Sequence, residues 1–201
     1  MARLRPANTE CRDNPIMTLD LHIRHAVSAD VDGIVGLHTA SLRALGRSHY
    51  SGPQVEAMLR AGTLDLSLVQ DGTYFVAEHD GRICGAGGWT ANENMAVPGG
   101  PAVDLGATPS PLRRAFIRAV YVHPNFARQG IGRQIVKRAE RAAAARGFRR
   151  IELFSTLSGA ALYRELGYRV LSARDFVLPS GGSVSTLHMV KHLALPNPAN
   201  D

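Results

Sequence analysis

The sequence predicts a mixed α/β fold in which about four helices flank a central, mostly antiparallel sheet. Three observations support this prediction. Asp80-Gly81, a strong hairpin signal, joins two strand-like runs. Two helical patterns precede that hairpin, and strand and helix patterns alternate after it. The chain of 201 residues fits one domain, which we place at 18–192 between a disordered extension at 1–17 and a flexible tail at 193–201.

The elements before and within the hairpin follow from local patterns. Alternating apolar residues at 19–23 predict a first strand. Ser28 should begin a helix that ends at Gly46, because a serine caps the N-terminus and apolar residues then recur at helical spacing. A serine and a proline within 51–53 predict the start of a second helix. The hairpin strands are predicted at 74–78 and 82–90.

The second half of the chain begins with a loop and continues with alternating strands and helices. Residues 91–111 are rich in Pro, Gly, Asn and Ala, and predict a long irregular loop, either a lid over an acceptor site or a loosely ordered insertion. After it, the sequence predicts a strand at 114–122, a helix at 130–146, a strand at 151–154, a helix at 159–166, and strands ending at 177 and spanning 183–190.

Composition and charge exclude several classes of protein. Cys11 and Cys84 do not form a disulfide framework, and no signal-like or membrane-length apolar run is present, so we expect a cytoplasmic protein without a membrane partner. Eight histidines without ligand spacing predict no metal site. Much of the excess that gives the net charge of +6 falls at 128–150, without the aromatic interleaving that stacks on bases. This pattern favours a polyphosphate ligand or a solvated helix face over nucleic acid.

A glycine-rich turn at the start of a basic helix is the most informative motif. It lies in the segment AVYVHPNFARQGIGRQIVKRAE, where Gly130 and Gly132 allow a phosphate to approach the backbone N–H groups of a helix N-terminus. Arg128 and Arg133 flank these glycines and can add charge-assisted contacts. The motif lacks the Gly-Lys-Ser/Thr ending of a Walker loop and the third glycine of a dinucleotide fingerprint.

This segment resembles the coenzyme A-binding motif of the GCN5-related N-acetyltransferase (GNAT) superfamily. The resemblance implies a GNAT-like sheet that is splayed at the cofactor site, with acetyl-CoA as acyl donor. It also implies that the backbone of Val120 and Val122 binds the pantetheine arm as an added strand would. The family's first Arg/Gln falls on Ala127, which removes one side-chain contact. The implied cofactor-binding residues are Val120, Tyr121, Val122, Arg128, Gln129, Gly130, Ile131, Gly132 and Arg133.

A second segment, IELFSTLSGAALYRELGYRV, resembles the family's other signature. Tyr163 occupies the position of a tyrosine that in many members protonates the leaving coenzyme A thiolate, so the resemblance implies that Tyr163 is the general acid. A helix-face core aromatic is the structural alternative for this residue. Thr156 stands where many relatives carry Asn.

The general base has no clear counterpart in the sequence. Relatives often carry a glutamate on the strand before the phosphate-binding turn, but the matching positions here are Phe116 and Arg118. If Arg118 faces the cleft, it favours an acceptor that carries an anionic group. A water chain to solvent is an alternative base. The other candidates are Glu78, Glu93, His38, His49 and His123.

The acceptor side is predicted from the early segment SLRALGRSHYSGPQVEAML, which resembles the two-helix cover of the family's acceptor site. We expect Tyr50 and Trp89 to contribute to the walls of this pocket, with packing as the alternative role. The resemblance implies transfer of an acetyl group from acetyl-CoA to a primary amine of a small molecule or peptide. A non-catalytic acyl-CoA sensor is the alternative function. The acceptor's identity and a homodimer remain open.

Overall fold

The computed structural model describes residues 19–61, 64–91, 113–178 and 182–193, and the backbone of 95–96 and 102–103. Seven strands form one sheet in the order β1-β2-β3-β6-β7-β9-β8, and two short strands pair separately. The strands are β1 (His22–His25), β2 (Tyr74–His79), β3 (Arg82–Thr90), β4 (Met95–Ala96), β5 (Ala102–Val103), β6 (Arg114–Val122), β7 (Arg150–Thr156), β8 (Arg169–Val177) and β9 (Ser183–His192); the helices are α1 (Val31–Leu45), α2 (Gly52–Arg60), α3 (Ser67–Gln70), α4 (Ile131–Ala145) and α5 (Ala160–Glu165).

The sheet confirms the predicted mixed architecture. All of its neighbouring strands are antiparallel except β6 and β7, which are parallel. The described residues contain five α-helices, one more than predicted. The additional helix is α3, which is too short to produce a periodic pattern. The Asp65 carboxylate accepts hydrogen bonds from the backbone N–H and the hydroxyl of Ser67 and so stabilises its start.

Local turn chemistry explains two elements that the sequence predicted correctly. Asp80 and Gly81 both have positive φ angles, 49° and 71°, as a two-residue hairpin turn requires. At the start of α2, the Ser51 hydroxyl accepts a hydrogen bond from the Gln54 backbone N–H, and the Gln54 side chain accepts one from the Ser51 N–H at 2.9 Å. This reciprocal pair is a capping box.

Two predicted boundaries were wrong. Ser28 lies in a 3₁₀ turn, and α1 begins at Val31. The Asp30 carboxylate accepts a hydrogen bond from the Val27 N–H at 2.8 Å and pairs with Arg24 at 2.7 Å. The hydrogen bond from Arg24 lowers the pKa of Asp30 despite burial.

The first strand begins at His22, and the apolar residues before it pack against the cluster around Cys84.

The 91–111 segment contains regular structure where none was predicted. β4 and β5 pair antiparallel, with Met95 opposite Val103 and Ala96 opposite Ala102. Two-residue strands are below the length at which alternation is visible in a sequence. The predicted lid otherwise lies outside the described residues, as do the predicted extension at 1–17 and the tail after residue 193.

Helix α4 packs closely on one face of the sheet because β3 carries glycines beneath it. A Cβ atom at Gly85 would lie 2.5 Å from Ile131 Cγ2 and 2.8 Å from Ile135 Cδ1. Both isoleucines are fully buried. Because Gly85 has no side chain, the N-terminal turn of α4 can lie directly against β3, the strand next to β6.

Gly36 provides a test of how α1 is stabilised. It lies on the exposed side of the helix, and a Cβ atom there would have no heavy atom within 4 Å. We expect Gly36→Ala to raise the free energy of unfolding by about 0.5–1 kcal/mol, because alanine loses less backbone entropy in a helix. Urea unfolding measures this change. Gly33→Ala is the contrast, because its Cβ would lie 3.0 Å from Ile83 Cδ1. A loss of stability in Gly36→Ala would contradict the prediction.

Candidate active site

The sheet opens between its two parallel strands. β6 and β7 pair only through the positions from Arg114, opposite Arg150, to Phe116, opposite Glu152. Beyond Phe116, β6 continues along β3, while β7 continues along β9 as far as Thr156. The edge of β6 that faces this split therefore has backbone groups without a β7 partner within the described span 113–178. The sheet is splayed where the family resemblance implied.

A bulge in β6 sets which side chains face the split. Ala119 and Val120 together oppose Gly87 of β3, and Ala119 has a φ of 51°. The Tyr74 hydroxyl donates a hydrogen bond to the Ala119 carbonyl at 2.7 Å. Bulges of this kind bend a strand and redirect its side chains. Here the bulge directs Tyr121 towards α1, where its ring contacts His38.

A cavity of about 610 Å³ occupies the split and extends to the end of α1. It is lined by groups from both layers that flank the sheet. Its lining includes the cofactor-binding residues predicted from the sequence, except Gln129, whose amide instead donates to the Asn125 carbonyl. The predicted residues that line it are Val120, Tyr121, Val122, Arg128, Gly130, Ile131, Gly132, Arg133 and Tyr163.

The N-terminus of α4 opens into this cavity. The Gln134 N–H bonds to the Gly130 carbonyl at 3.1 Å, so the N–H groups that precede it have no partner within the helix. Arg128 and Gly130 have φ angles of 66° and 80°, and successive turns of this kind form anion-binding concavities. The two positive φ angles and the N–H groups at this helix end therefore fit an anion such as a diphosphate. A Cβ at Gly132 would lie 3.1 Å from Leu162 Cδ2, so the glycine at this position allows α5 to approach α4.

Two arginines add charge near this helix end. Arg128 is exposed at the rim of the cavity. Arg133 donates a hydrogen bond to the Glu165 carboxylate at 3.0 Å, and this ion pair joins α4 to α5. Because both side chains of the pair are about half exposed, we expect it to contribute little to stability and to serve mainly in orienting Arg133.

Tyr163 lies on α5 at the inner part of the cavity. Its side chain is largely buried, and its ring packs edge-to-face on Tyr168 at 5.6 Å. Burial, together with the nearby Tyr121, raises the pKa of Tyr163 well above the ordinary value of a phenol. The hydroxyl is therefore protonated at neutral pH and available to donate a proton or a hydrogen bond.

The structure places the three predicted acceptor-side residues outside the cavity lining. The Tyr50 hydroxyl donates to the Ser185 carbonyl at 2.7 Å and accepts from the Leu157 N–H at 2.9 Å. Trp89 is buried on the α4 side of the sheet, where its ring packs against Phe148 at 5.4 Å. These two rings hold neighbouring elements together rather than lining the opening.

Arg118 is also drawn away from the cavity. Its side chain is only 14% exposed and lies 3.7 Å from the Asp65 carboxylate. Burial lowers the pKa of this guanidinium, while Asp65 acts in the opposite direction. Arg118 lies just before the β6 bulge. Ile117 before it and Ala119 after it line the cavity, but Arg118 does not.

Two of the candidate bases have structural roles. Glu78 pairs with Arg24 at 2.6 Å. The His123 ring accepts a hydrogen bond from the Asn125 N–H at the start of the turn before α4. Glu93 lies outside the described residues.

The other two candidate bases are histidines on the α1 side. His38 is buried against Tyr121, with ring centroids 4.5 Å apart, and burial lowers its pKa to about 4. It is neutral at physiological pH and a weak base. His49 is exposed and lines the cavity.

Sequence reasoning missed several cavity residues at the α1 end and on β7. Ser41 is a buried serine on the face of α1 that also contains the buried His38, and these two polar residues among apolar ones were the available signal. Ser48 follows α1. Phe154 lies on the face of β7 that Leu153, its neighbour in the chain, does not occupy. Their proximity depends on strand pairing, which a local pattern does not contain.

Two other kinds of site are not found in the part of the chain that the structure describes. Within it, no cluster of three or more His, Cys, Asp or Glu side chains has the arrangement of a metal site. No helix there has the length and apolar character needed to cross a bilayer.

Several solved structures whose fold is similar to that of this chain are N-acetyltransferases. A GCN5-related N-acetyltransferase from Rhodopseudomonas palustris matches with a TM-score of 0.66 and 19% identity over 86% of this chain and 95% of that chain. The PaiA N-acetyltransferase from Thermoplasma acidophilum, in complex with coenzyme A, matches with a TM-score of 0.63 and 16% identity over 86% and 98%. The Drosophila melanogaster polyamine N-acetyltransferase matches with a TM-score of 0.59 and 18% identity over 87% of this chain and 100% of that chain.

Sequence comparisons give the family. A search of curated proteins finds no match. The model of the Acetyltransferase (GNAT) family matches residues 39–168, a span that contains the opening between β6 and β7, the N-terminus of α4 and Tyr163. Since this match covers more than half of the chain, the protein is a member of the GNAT acetyltransferase family.

Proposed function

We propose that the protein is an N-acetyltransferase that moves an acetyl group from acetyl-CoA to a primary amine by direct attack. The observation that carries this proposal is one continuous cavity that connects the N-terminus of α4, the hydroxyl-bearing Tyr163 and the end of α1. A phosphate-binding helix end, a proton donor and an open acceptor side are the three parts that such a transfer needs.

The donor half of the cavity suits acetyl-CoA. The N–H groups at the start of α4 lie at the cavity, where they can donate to a diphosphate, and Arg128 at the rim adds positive charge. The edge of β6 that β7 leaves open offers backbone groups at Val120 and Val122 to the two amides of the pantetheine arm. An arm extended along this edge brings the thioester towards Tyr163.

The chemistry then follows from the groups at the inner end of the cavity. The neutral amine attacks the thioester carbonyl and its nitrogen loses a proton, the carbon–sulfur bond of the tetrahedral intermediate breaks, and the thiolate takes a proton from the Tyr163 hydroxyl. An acyl-enzyme on Cys84 is disfavoured, because its thiol is buried and donates to the Ala77 carbonyl, and burial raises its pKa.

The acceptor half is polar and open. Ser41, Ser48 and His49 line it at the end of α1. These groups suit an amine on a small molecule or a peptide. Agmatine, spermidine, a lysine peptide and a peptide with a free N-terminus form a suitable first panel, which includes the polyamine class named for one structural neighbour.

Titration calorimetry with acetyl-CoA tests the donor half. We expect saturable binding by the wild type and about tenfold weaker binding by Arg128→Ala, a loss of about 1.4 kcal/mol that is typical of a hydrogen bond to a charged group. Arg141→Ala, at an exposed arginine of the same helix, is the matched control and should bind as the wild type does. Absence of binding at millimolar acetyl-CoA would contradict the proposal.

Release of free thiol in the presence of the amine panel tests the transfer itself. We expect turnover with at least one amine and formation of its N-acetyl product by mass spectrometry. Saturable acetyl-CoA binding without turnover of any panel amine would favour the sensor alternative.

A further inference from the structure

We propose that a buried pair, Glu152 and His188, accepts the proton that the attacking amine must lose. This inference rests on the proposed transfer to an amine. It names a general base, because β6 carries no carboxylate that could serve as one. The pair belongs to neighbouring strands, Glu152 to β7 and His188 to β9. Its place in the sheet, its hydrogen bonds and its charges each support the assignment.

The geometry of the pair is that of an oriented histidine. The Nε2 atom of His188 lies 2.7 Å from Oε2 of Glu152, and the Arg150 Nε donates to Oε1 of the same carboxylate at 2.6 Å. The Glu152 side chain is 1% exposed and that of His188 11%. A carboxylate that accepts the Nε2 proton fixes one tautomer and leaves Nδ1 as a proton acceptor.

The pair lies at the inner end of the split. Glu152 is opposite Phe116 in the last β6–β7 pair before the two strands separate. Phe154, two residues further along the same face of β7, lines the cavity. Its ring stacks on that of His188 with centroids 4.6 Å apart and planes inclined by 13°. Neither Glu152 nor His188 lines the cavity itself, and the Phe154 ring lies between the histidine and the space where we propose that the amine and the thioester meet.

The charges around the pair keep Glu152 ionised. Burial alone would raise the pKa of its carboxyl, but hydrogen bonds from His188 and Arg150 hold the pKa below the ordinary value. On β8, the position opposite His188 is Ser172, and Arg169 and Arg174 occupy neighbouring positions. Glu152 is therefore ionised and can accept the Nε2 proton of His188.

The other histidines near the cavity are weaker candidates. His38 is too weak a base when buried, as its lowered pKa indicates. His49 lines the cavity, but among the described residues no carboxylate lies within ion-pair distance of it. Of the three, only His188 has a buried carboxylate within hydrogen-bond distance that orients its ring.

The proton balance is complete with these groups. The ammonium form of the acceptor gives one proton to Nδ1 of His188 through water that passes Phe154, and the resulting neutral amine attacks the thioester. The thiolate takes the Tyr163 proton when the carbon–sulfur bond breaks. The nitrogen of the tetrahedral intermediate gives up its second proton, which returns through water to the Tyr163 phenolate, and His188 loses its proton to solvent after product release. The sum is one acetylated amine, one free thiol and one released proton for each acetyl-CoA consumed.

Histidine NMR and the pH dependence of the rate test the assignment together. In the wild type, nitrogen-15 spectra should show the proton of neutral His188 on Nε2, with Nδ1 unprotonated; a proton on Nδ1 would overturn the proposal whatever the activity. With the most active panel amine, His188→Gln should lower kcat/KM about 100-fold at neutral pH and remove the acid limb of the wild-type profile. Glu152→Gln should also lower kcat/KM, because the His188 ring loses the carboxylate that orients it.

Two controls separate this role from a structural one. His192→Gln makes the same change at an exposed position of β9 and should leave the profile unchanged. Acetyl-CoA binding should stay within twofold of wild type in His188→Gln, which shows that the donor site is intact. An unchanged profile in an active His188→Gln would overturn this inference alone. Failure of the wild type to acetylate any amine would overturn the proposed transfer and this inference with it.

Discussion

Replacement of Tyr163 by phenylalanine should lower kcat about 100- to 10,000-fold, the range expected for loss of a positioned proton donor. The ring is held by its buried, edge-to-face contact with Tyr168, so removal of the hydroxyl leaves the packing in place. The dissociation constant of acetyl-CoA should therefore stay near the wild-type value. Single-turnover measurements of thiol release determine the chemical step, and calorimetry determines the binding.

Tyr168→Phe is the matched control for this change. The two rings are neighbours, and the Tyr168 hydroxyl is buried beside Glu140, so that burial and this carboxylate raise its pKa. Its removal leaves the ring contact in place and should leave kcat unchanged. Turnover by Tyr163→Phe at the wild-type rate would remove Tyr163 from the proposed mechanism.

The pH dependence of the wild type provides a second check on Tyr163. Burial and Tyr121 raise its pKa above that of an ordinary phenol, so the protonated donor persists through neutral and moderately alkaline pH. No loss of kcat from ionisation of this group should occur below about pH 10, the ordinary pKa of a tyrosine.

The glycine-containing turn before α4 could be predicted because its conformation is local. Gly130 takes a positive φ and the helix begins one residue later, so the sequence around it specifies both the turn and the exposed N–H groups. The hairpin at Asp80-Gly81 was predicted for the same reason. In both cases the backbone conformation depends on residues adjacent in the chain.

The acceptor side could not be predicted because it depends on contacts between distant segments. Tyr50 reaches Ser185, 135 positions away, through a single hydrogen bond. The partner of Glu152 on β9 is 36 positions away. The β6 bulge at Ala119 changes the alternation that would otherwise indicate which side chains face the cavity. Pairing and bulges of this kind arise from the assembled sheet and leave only weak local signals.

Replacement of Gly88 by alanine should destabilise the fold strongly, by about 3 kcal/mol or more, at the upper end of the range for overpacking. A Cβ atom at Gly88 would lie 2.5 Å from the Thr73 carbonyl oxygen and 2.9 Å from the Tyr74 Cα. Both obstacles are backbone atoms, which cannot rotate away as a side chain can. The Thr73 carbonyl is also held in place by a hydrogen bond from the Trp89 N–H at 3.2 Å.

The same change should weaken acetyl-CoA binding at a temperature where the variant remains folded. Displacement of the chain at Thr73 would move Tyr74, whose hydroxyl holds the Ala119 carbonyl at the bulge beside the cavity. Gly52→Ala is the control, since no heavy atom lies within 4 Å of its Cβ, and its unfolding free energy should stay within about 0.5 kcal/mol of wild type. Wild-type stability and binding in Gly88→Ala would show that the sheet tolerates a shift of β2 and that the bulge does not depend on Tyr74. Weaker binding in a folded Gly88→Ala would instead show that this glycine, although outside the cavity lining, fixes the edge of β6 along which we propose that the donor binds.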